Sequence, residues 1–405
     1  MTAKDIIILS EKKCAKAFKR AEEISLYNQE KVLKAFWNNK IALRHFVNTS
    51  GYGYGDEGRD VLNRVYAQAF GAQKACVSPS IASGTHALTL GLFGILRPGD
   101  IMLSVTGEPY DTLKDVISGD GIGSLKDFGI KYKSLALKRG KINIERVLKI
   151  IASEKIAMLY IQRSRGYEWR DSICVDDIGK FVSAVRGAGY EGCIFVDNCY
   201  GEFVETKEPT EVGADVICGS LIKNPGGGIA PTGGYIAGKE RYITQVEGRL
   251  TAPSIGGEVG SYAYGYQYFY QGLFLAPHTV KECIKGSLLI GTAMSLLGFK
   301  TLPALNKTPC DITRSVIFND EKKLISFIQS VQDVSPVDSF VTLMPWDMPG
   351  YEDAVIMAAG CFVQGSSIEL SADAPVKPPY VAYIQGGVTY EHCKIALNKM
   401  LQKLM

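Results

Sequence analysis

The middle of this chain alternates short, continuously apolar segments with longer amphipathic ones, and this alternation constrains the fold more than any other feature. The apolar segments predict strands at 101–104, 156–161, 193–196, 216–218 and 234–237. The amphipathic segments predict helices at 109–116, 144–152, 176–188 and 241–246. Strands that are apolar along their whole length are buried on both faces, so the pattern predicts an α/β fold with a mostly parallel sheet covered by helices.

The segments on either side of this alternating region differ from it in character. Residues 1–50 predict an N-terminal helical arm, because residues 5–40 have helical spacing of apolar side chains. Residues 51–275 form the predicted large domain. Residues 276–405 predict a smaller α+β domain that begins with a long connecting helix at 278–297. Its other predicted elements are strands at 315–318, 354–357, 367–370 and 381–384 and helices at 321–332 and 390–404.

Polar side chains follow two of the predicted strands directly. Asp197 follows the strand at 193–196, and Ser220 and Lys223 follow the strand at 216–218. Ligands of open α/β sheets bind beyond the carboxyl ends of the strands, so these side chains are expected to converge. A lysine that forms a Schiff base and a carboxylate that keeps a pyridine nitrogen protonated are what pyridoxal phosphate needs. Burial beside a pyridinium predicts a lowered pKa for the Lys223 amine. The alternatives to a cofactor site are that Lys223 is a surface lysine and that Asp197 caps a turn.

A second polar group precedes the predicted helix that begins near residue 87. Ser83, Gly84 and Thr85 stand where backbone N–H groups at a helix N-terminus bind phosphate, although the same residues also suit a plain helix cap. Tyr110, beyond the strand at 101–104, either stacks on a cofactor ring or packs in the core. Glycine-rich dinucleotide and nucleotide-phosphate motifs are absent from the sequence.

Composition excludes several classes of function. With 46% hydrophobic and 21% charged residues, the chain has the composition of a soluble globular protein. Its net charge of +3 gives no electrostatic reason to expect binding to nucleic acid or to a membrane surface. The apolar stretches fall short of the roughly 20 residues that span a membrane, and the N-terminus does not resemble a signal peptide. The four histidines are isolated, so no metal site is expected, and the ten cysteines predict buried thiols in the cytoplasm.

Several longer motifs of the chain resemble a known family. They are Gly51-Tyr-Gly-Tyr54, Ser83-Gly-Thr-His86, Glu108-Pro-Tyr-Asp111, Ile161-Gln-Arg-Ser-Arg165, Phe195-Val-Asp-Asn-Cys-Tyr200, Ser220-Leu-Ile-Lys-Asn-Pro-Gly-Gly-Gly228 and the segment 365–373. They are similar to the bacterial methionine gamma-lyase-like group often labelled "aluminium resistance protein". That group is a branch of the Cys/Met-metabolism pyridoxal-phosphate enzymes of aminotransferase fold type I, and the resemblance covers nearly the whole chain.

The resemblance implies a role for each of the candidate residues. Lys223 matches the Schiff-base lysine, and Asp197 matches the partner of the pyridine nitrogen. Tyr110 matches the ring-stacking tyrosine, which is also a proposed acid for the sulfur leaving group. The positions that match phosphate-binding residues of the family are Ser83, Gly84, Thr85 and Ser220.

The resemblance also implies a site shared between subunits. Tyr52 and Tyr54 stand where the wider family has Tyr-x-Arg, which reaches the phosphate from a neighbouring subunit, and Tyr54 replaces the cationic residue. A homodimer or a tetramer built from dimers is therefore expected. The arginine that binds the substrate carboxylate in the wider family is missing from residues 380–387. Arg163 and Arg165 are the candidates for that role, and for each the alternative is a structural ion pair.

The activity implied by the resemblance is carbon–sulfur bond cleavage in a sulfur amino acid such as cystathionine, methionine or cysteine, by β- or γ-elimination. Two alternatives stay open. One is another fold type I reaction, namely γ-replacement or transamination. The other is a pyridoxal-phosphate-binding protein with a stress or regulatory role and little lyase activity.

Overall fold

The computed structural model describes residues 1–348 and 351–405 and contains two β-sheets. The larger sheet has seven strands, β1 (Lys74–Ser78), β2 (Ile101–Ser104), β3 (Lys131–Ser134), β4 (Met158–Gln162), β5 (Cys193–Asp197), β6 (Val216–Ser220) and β7 (Gly234–Gly238), in the order β1-β7-β6-β5-β4-β2-β3. Strands β2 to β6 pair in parallel, and β7 is antiparallel to both of its neighbours. The predicted mostly parallel sheet is confirmed, although β3, an exposed edge strand of polar residues, was not predicted.

Helices cover both faces of the large sheet. They are α1 (Ala3–Asn38), α2 (Glu57–Ala69), α3 (Gly84–Ile95), α4 (Asp111–Ser118), α5 (Ile144–Ser153), α6 (Val175–Gly187), α7 (Glu240–Leu250) and α8 (Gln267–Leu296). Alternate side chains of β5 belong to separate cores: Ile194 and Val196 pack on one side of the sheet, and Phe195 packs on the other. Because side chains alternate along a strand, burial on both faces requires the continuously apolar sequence from which this sheet was predicted.

The smaller sheet is antiparallel and has five strands, β8 (Lys300–Leu302), β9 (Arg314–Ile317), β10 (Val355–Ala358), β11 (Ser371–Pro375) and β12 (Val381–Gln385), in the order β10-β11-β12-β9-β8. One face packs on α9 (Glu321–Gln332) and α10 (Tyr390–Leu404) through a core that includes Ala372, Ala374 and Ile384. The predicted strand at 367–370 is wrong, since the strand begins at Ser371. Glu369 instead accepts hydrogen bonds from the backbone N–H groups of Phe362 and Val363, which holds this segment as a loop.

Helix α8 connects the two sheets. It begins at Gln267 and continues through Pro277 to Leu296. The helix therefore starts earlier than predicted, and the predicted domain boundary at 275/276 lies inside it. The division of the chain into domains stays a prediction. None of the helices that the structure describes is long and apolar enough to cross a membrane.

The cysteines only partly match expectation. Eight of them are free and buried, but Cys174 and Cys310 form a disulfide across 136 positions of sequence. The prediction that all ten are thiols is wrong for this pair, because only the fold brings the N-terminus of α6 to the loop before β9. Glu205 lies close enough to form a possible metal-ligand group with both sulfurs, but its carboxylate pairs with the Arg163 guanidinium. The cytoplasmic location stays a prediction.

Candidate active site

The carboxyl ends of β4, β5 and β6 bring the predicted site residues together. Gln162 ends β4 and stands opposite Asp197, which ends β5, and Ser220 ends the adjacent β6. Lys223 follows β6 and precedes a short helical turn at Asn224–Gly226. The parallel arrangement of these strands places the carboxylate and the lysine beside each other, as the sequence predicted.

Lys223 points its amine into a buried space between aromatic and glycine residues. Its Nζ atom lies 4.2 Å from the ring centroid of Tyr200. A Cβ atom built on Gly84 would stand 4.0 Å from the same nitrogen. Tyr200, which sequence reasoning missed, has a φ of +71°, an uncommon backbone conformation for a residue with a side chain. This conformation presents its ring to the Lys223 amine.

The environment of Lys223 changes the expected pKa of its amine. Burial lowers the pKa, but the surrounding acidic groups, with Cys199, Tyr200 and Asp197 the largest contributors, raise it well above its ordinary value. The lowered pKa was predicted for an amine beside a pyridinium, and it stays a prediction for the protein with its cofactor bound. That prediction counted the charge of a pyridinium and left out the acidic side chains that the fold gathers around the amine.

Asp197 is buried and accepts a hydrogen bond from the backbone N–H of Cys199 at 3.1 Å. Burial raises the pKa of its carboxyl, while the Lys223 charge and the bonds from Cys199 oppose the rise. A second cationic partner would stabilise a buried carboxylate in this position. Such a partner would favour its charged form and lower its pKa.

The glycine turn before α3 lies against the end of β6. Ser83 is the N-cap of α3, and its Oγ accepts from the backbone N–H of His86 at 3.0 Å. A Cβ atom on Gly84 would be 3.5 Å from the Cβ of Ser220. The Ser220 hydroxyl is buried and has no hydrogen-bond partner in the part of the chain that the structure describes. An unpartnered hydroxyl facing a glycine turn at a helix N-terminus suits a phosphate group.

Tyr110 joins the glycine turn to the strand ends. Its hydroxyl lies 2.9 Å from Thr85 Oγ1, and its backbone N–H donates to Gln162 Oε1 at 2.9 Å. Burial and then the Asp197 charge raise the pKa of the Tyr110 hydroxyl, which the bond to Thr85 partly offsets. The hydroxyl therefore stays protonated and is available as a proton donor. Gln162, another residue that sequence reasoning missed, fixes the start of α4 at this point.

Tyr52 and Tyr54 lie on the surface rather than in this cluster. Their side chains are 71% and 66% exposed, and their ring centroids are 5.5 Å apart. Two hydrogen bonds hold their loop in place: the Gly260 backbone N–H donates to the Tyr52 carbonyl, and the Ser261 hydroxyl donates to the Gly51 carbonyl. Their predicted role requires a neighbouring subunit and stays a prediction.

The two arginines proposed for the substrate carboxylate have different surroundings. The guanidinium of Arg163 is fully buried and donates to the Ile173 carbonyl, to Asn198 Oδ1 and to the Glu205 carboxylate. All three of its nitrogens are thus bonded within the protein. This arrangement matches the structural ion pair that was the alternative for this residue.

Arg165 retains an unused donor. It donates to Asp311 at 3.2 Å, to Ser172 at 3.4 Å and to Ser315 at 3.3 Å. Its Nε atom is buried and has no partner among the described residues. Through Ser315 this arginine also joins the large sheet's loops to β9 of the small sheet. Of the two candidates, only Arg165 has a guanidinium nitrogen without a hydrogen-bond partner among the described residues.

The structure brings one more carboxylate to the site. Asp373 of β11 accepts from Gln385 Nε2 at 3.0 Å. Burial raises the pKa of its carboxyl to about 6, although the Gln385 bond and the Lys223 charge lower it. The alternation of small apolar and polar residues from Ser371 to Pro375 is the sequence signal that could have indicated a polar face here.

These residues fit pyridoxal phosphate. The site has a group for each polar end of that molecule. These groups are the buried lysine, the carboxylate beside it, the glycine turn and the Ser220 hydroxyl, which has no partner among the described residues. The space over Gly84 would be filled by any side chain at that position.

Comparisons with known proteins agree with this fit. Residues 3–405 match the family model described as "Methionine gamma-lyase". The uncharacterized protein YnbB of Bacillus subtilis is 48% identical over 96% of this chain and 93% of its own length. A crystal structure named "carbon-sulfur lyase involved in aluminum resistance", from Clostridium novyi NT, is 50% identical. It covers 100% of this chain and 96% of its own, with a TM-score of 0.96.

A more distant structure supports the fold alone. The pyridoxal-5'-phosphate-dependent protein YhfS of Escherichia coli is 16% identical and has a TM-score of 0.63 over 95% of this chain and 97% of its own. The predicted fold type I architecture is thus confirmed, and the predicted family is the one that matches. The chain belongs to the methionine gamma-lyase family.

Proposed function

We propose that this protein is a pyridoxal-phosphate-dependent carbon–sulfur lyase that acts on a sulfur amino acid. The observation that carries the proposal is the joint placement of a buried lysine amine, the Asp197 carboxylate and the unpartnered Ser220 hydroxyl at adjoining strand ends. In this proposal Lys223 holds the cofactor covalently and Asp197 faces the pyridine nitrogen. The phosphate lies against Ser83, Gly84, Thr85 and Ser220.

The cofactor, when bound, supplies an electron sink for the bonding pair released at the substrate α-carbon. The chain's own residues then handle protons and position. The Lys223 Nζ atom is the proposed base that would take the α-proton. Because Asp197 and the neighbouring acidic groups stabilise its protonated form, Lys223 can keep that proton for delivery to another atom of the substrate.

Tyr110 is the proposed acid for the departing sulfur. Its hydroxyl stays protonated because burial and the Asp197 charge raise its pKa. The contact with Thr85 and the bond from its backbone to Gln162 fix its orientation. Protonation of the thiolate by Tyr110 would complete the cleavage of the carbon–sulfur bond.

Two further parts of the proposal concern substrate and assembly. Arg165, through its unpartnered Nε, is the proposed ligand of the substrate carboxylate, with Arg163 the weaker candidate. The exposure of Tyr52 and Tyr54 supports a homodimer or tetramer in which this loop meets the site of a neighbouring subunit.

The test is a product analysis with pyridoxal-phosphate-loaded protein and three substrates, namely cystathionine, methionine and cysteine. A lyase releases ammonia, keto acid and thiol or sulfide in equal amounts from at least one of them. From cystathionine, pyruvate with homocysteine indicates β-elimination, and α-ketobutyrate with cysteine indicates γ-elimination. Keto acid without thiol indicates transamination instead, and no product from any substrate contradicts the proposal.

A further inference from the structure

The small sheet has one polar face, and this face is turned toward the active site. Asp373 of β11 stands directly opposite Tyr383 of β12, which stands opposite Ser315 of β9. Residues paired in this way point to the same face of a sheet. Ser315 accepts a hydrogen bond from Arg165, and Tyr383 donates to the backbone carbonyl of Tyr167, so this face lies against the loop that follows β4.

Asp373 is surrounded by tyrosine rings. Tyr167 lies 5.2 Å from Tyr383 and 5.8 Å from Tyr351 between ring centroids. These rings are tilted by about 40° to one another rather than stacked. The hydroxyl pKa of both Tyr167 and Tyr351 is raised by burial and next by the Asp373 charge, which places this carboxylate close to both.

The Asp373 carboxylate differs from the other acidic groups of the site. Asp311 forms an ion pair with Arg165, and Asp197 receives bonds from Cys199. Asp373 is half-buried and accepts one bond from a neutral amide, that of Gln385. In the part of the chain that the structure describes, it has no ion pair. Lys223 is near enough to lower the pKa of Asp373 but forms no ion pair with it. Burying this carboxylate therefore costs free energy that a cationic ligand would offset.

We propose that Asp373 and the rings of Tyr167, Tyr351 and Tyr383 form a binding site for an ammonium group of the substrate, remote from the carbon that reacts. Carboxylates pair with ammonium groups, and aromatic walls are favourable surroundings for them. This inference rests on the proposed lyase function and narrows its substrate class. The substrate would be a thioether amino acid with a second ammonium group, as in cystathionine, rather than methionine with its apolar terminal methyl.

Substrate pairs provide the test. Pyridoxal-phosphate-loaded protein is assayed with L-cystathionine and with its two desamino analogues, in each of which hydrogen replaces one ammonium group. The analogue that keeps the reacting amine should have a kcat/KM at least about tenfold below that of cystathionine, since a hydrogen-bonded charge pair is lost. In Asp373→Asn the kcat/KM for cystathionine should fall by a similar factor, and that for the analogue should change little.

A second variant controls for loss of a carboxylate elsewhere in the C-terminal part of the chain. Asp333→Asn removes a charge at the end of α9, where Asp333 pairs with Lys403 at 2.7 Å, and it should preserve the preference for cystathionine. Equal kcat/KM for cystathionine and the analogue in the unaltered protein would overturn the inference. An equal fall for both substrates in Asp373→Asn would also overturn it, because that result indicates a structural role.

Failure of the lyase proposal would be visible separately. If the unaltered protein cleaves neither cystathionine nor its analogue, the proposed function fails. Calorimetric titration of the loaded protein with the same compounds then measures whether Asp373 binds the second ammonium group. Tighter binding of cystathionine than of the analogues, lost in Asp373→Asn, would support the ammonium site. Equal binding of all three compounds would overturn it.

Discussion

Gly84→Ala separates the proposed phosphate site from the stability of the fold. Gly84 is the first residue of α3, and its backbone does not have the positive φ that only glycine adopts readily. A methyl group there would meet Cys199 Sγ and Ser220 Cβ at 3.5 Å and Lys223 Nζ at 4.0 Å, which are ordinary van der Waals contacts. The chain without cofactor should therefore accept the substitution. It should even gain up to about 1 kcal/mol of unfolding free energy, as glycine-to-alanine changes in helices do.

The same methyl group occupies the surface proposed for the phosphate. A phosphate oxygen must come within about 2.9 Å of a backbone nitrogen to accept its hydrogen bond, and the methyl group would obstruct that approach. Loss of one bond to a charged group amounts to about 1.5–3 kcal/mol, so the Kd for pyridoxal phosphate should rise about 10- to 100-fold.

The assay combines two measurements on the same preparation. Titration of the cofactor-free protein with pyridoxal phosphate gives Kd from the visible absorbance, and thermal unfolding of the cofactor-free protein gives its stability. Gly187→Ala is the matched control, because Gly187 ends α6 and a methyl group there would meet nothing within 4 Å. It should leave Kd unchanged. An unchanged Kd in Gly84→Ala would refute the assignment of the phosphate to this turn.

Three other predictions concern the site. Lys223→Ala should fold but lose turnover, together with the visible absorbance that borohydride abolishes in the unaltered protein; retained turnover would show that the base is elsewhere. Arg165→Ala should raise KM at least about tenfold. Arg163→Ala should instead lower the unfolding free energy by about 3–5 kcal/mol, because it leaves Glu205 without its buried partner. Equal effects of the two substitutions on KM would contradict the distinction between these arginines. The Asp373 carboxyl has its pKa raised from 3.8 to about 6, so the folded chain holds this proton more tightly than the unfolded chain. Its contribution to stability therefore falls as pH rises from about 4 through about 6. Asp373→Asn removes the ionisable group, so its free energy of unfolding should no longer fall over this pH range. Denaturant titrations at several pH values measure this, and a pH dependence equal to that of the unaltered protein would contradict the raised pKa.

Local pattern was sufficient for much of the fold. The strands from β4 to β7 were predicted because burial on both faces leaves them apolar up to their carboxyl ends. Asp197 and Lys223 were predicted as neighbours because parallel strands bring their carboxyl ends to one edge. The failures occurred where a long-range contact overrides local preference. The segment at 367–370 has strand-like alternation, but Glu369 bonds to the backbone at Phe362 and Val363 and holds it as a loop.

The acid, hydroxyl and lysine at two neighbouring strand ends were thus predicted from the sequence itself, as were the sheet and the family. These follow from periodicity and from residues close together in the chain. Only the tertiary structure decided the electrostatics and the second half of the site. It gathered Tyr200, Cys199 and Asp197 around the Lys223 amine, where they oppose the lowering of its pKa by burial. It also brought Asp373, 150 positions after Lys223, to the same space, because pKa values and subsites depend on distances that no stretch of sequence encodes.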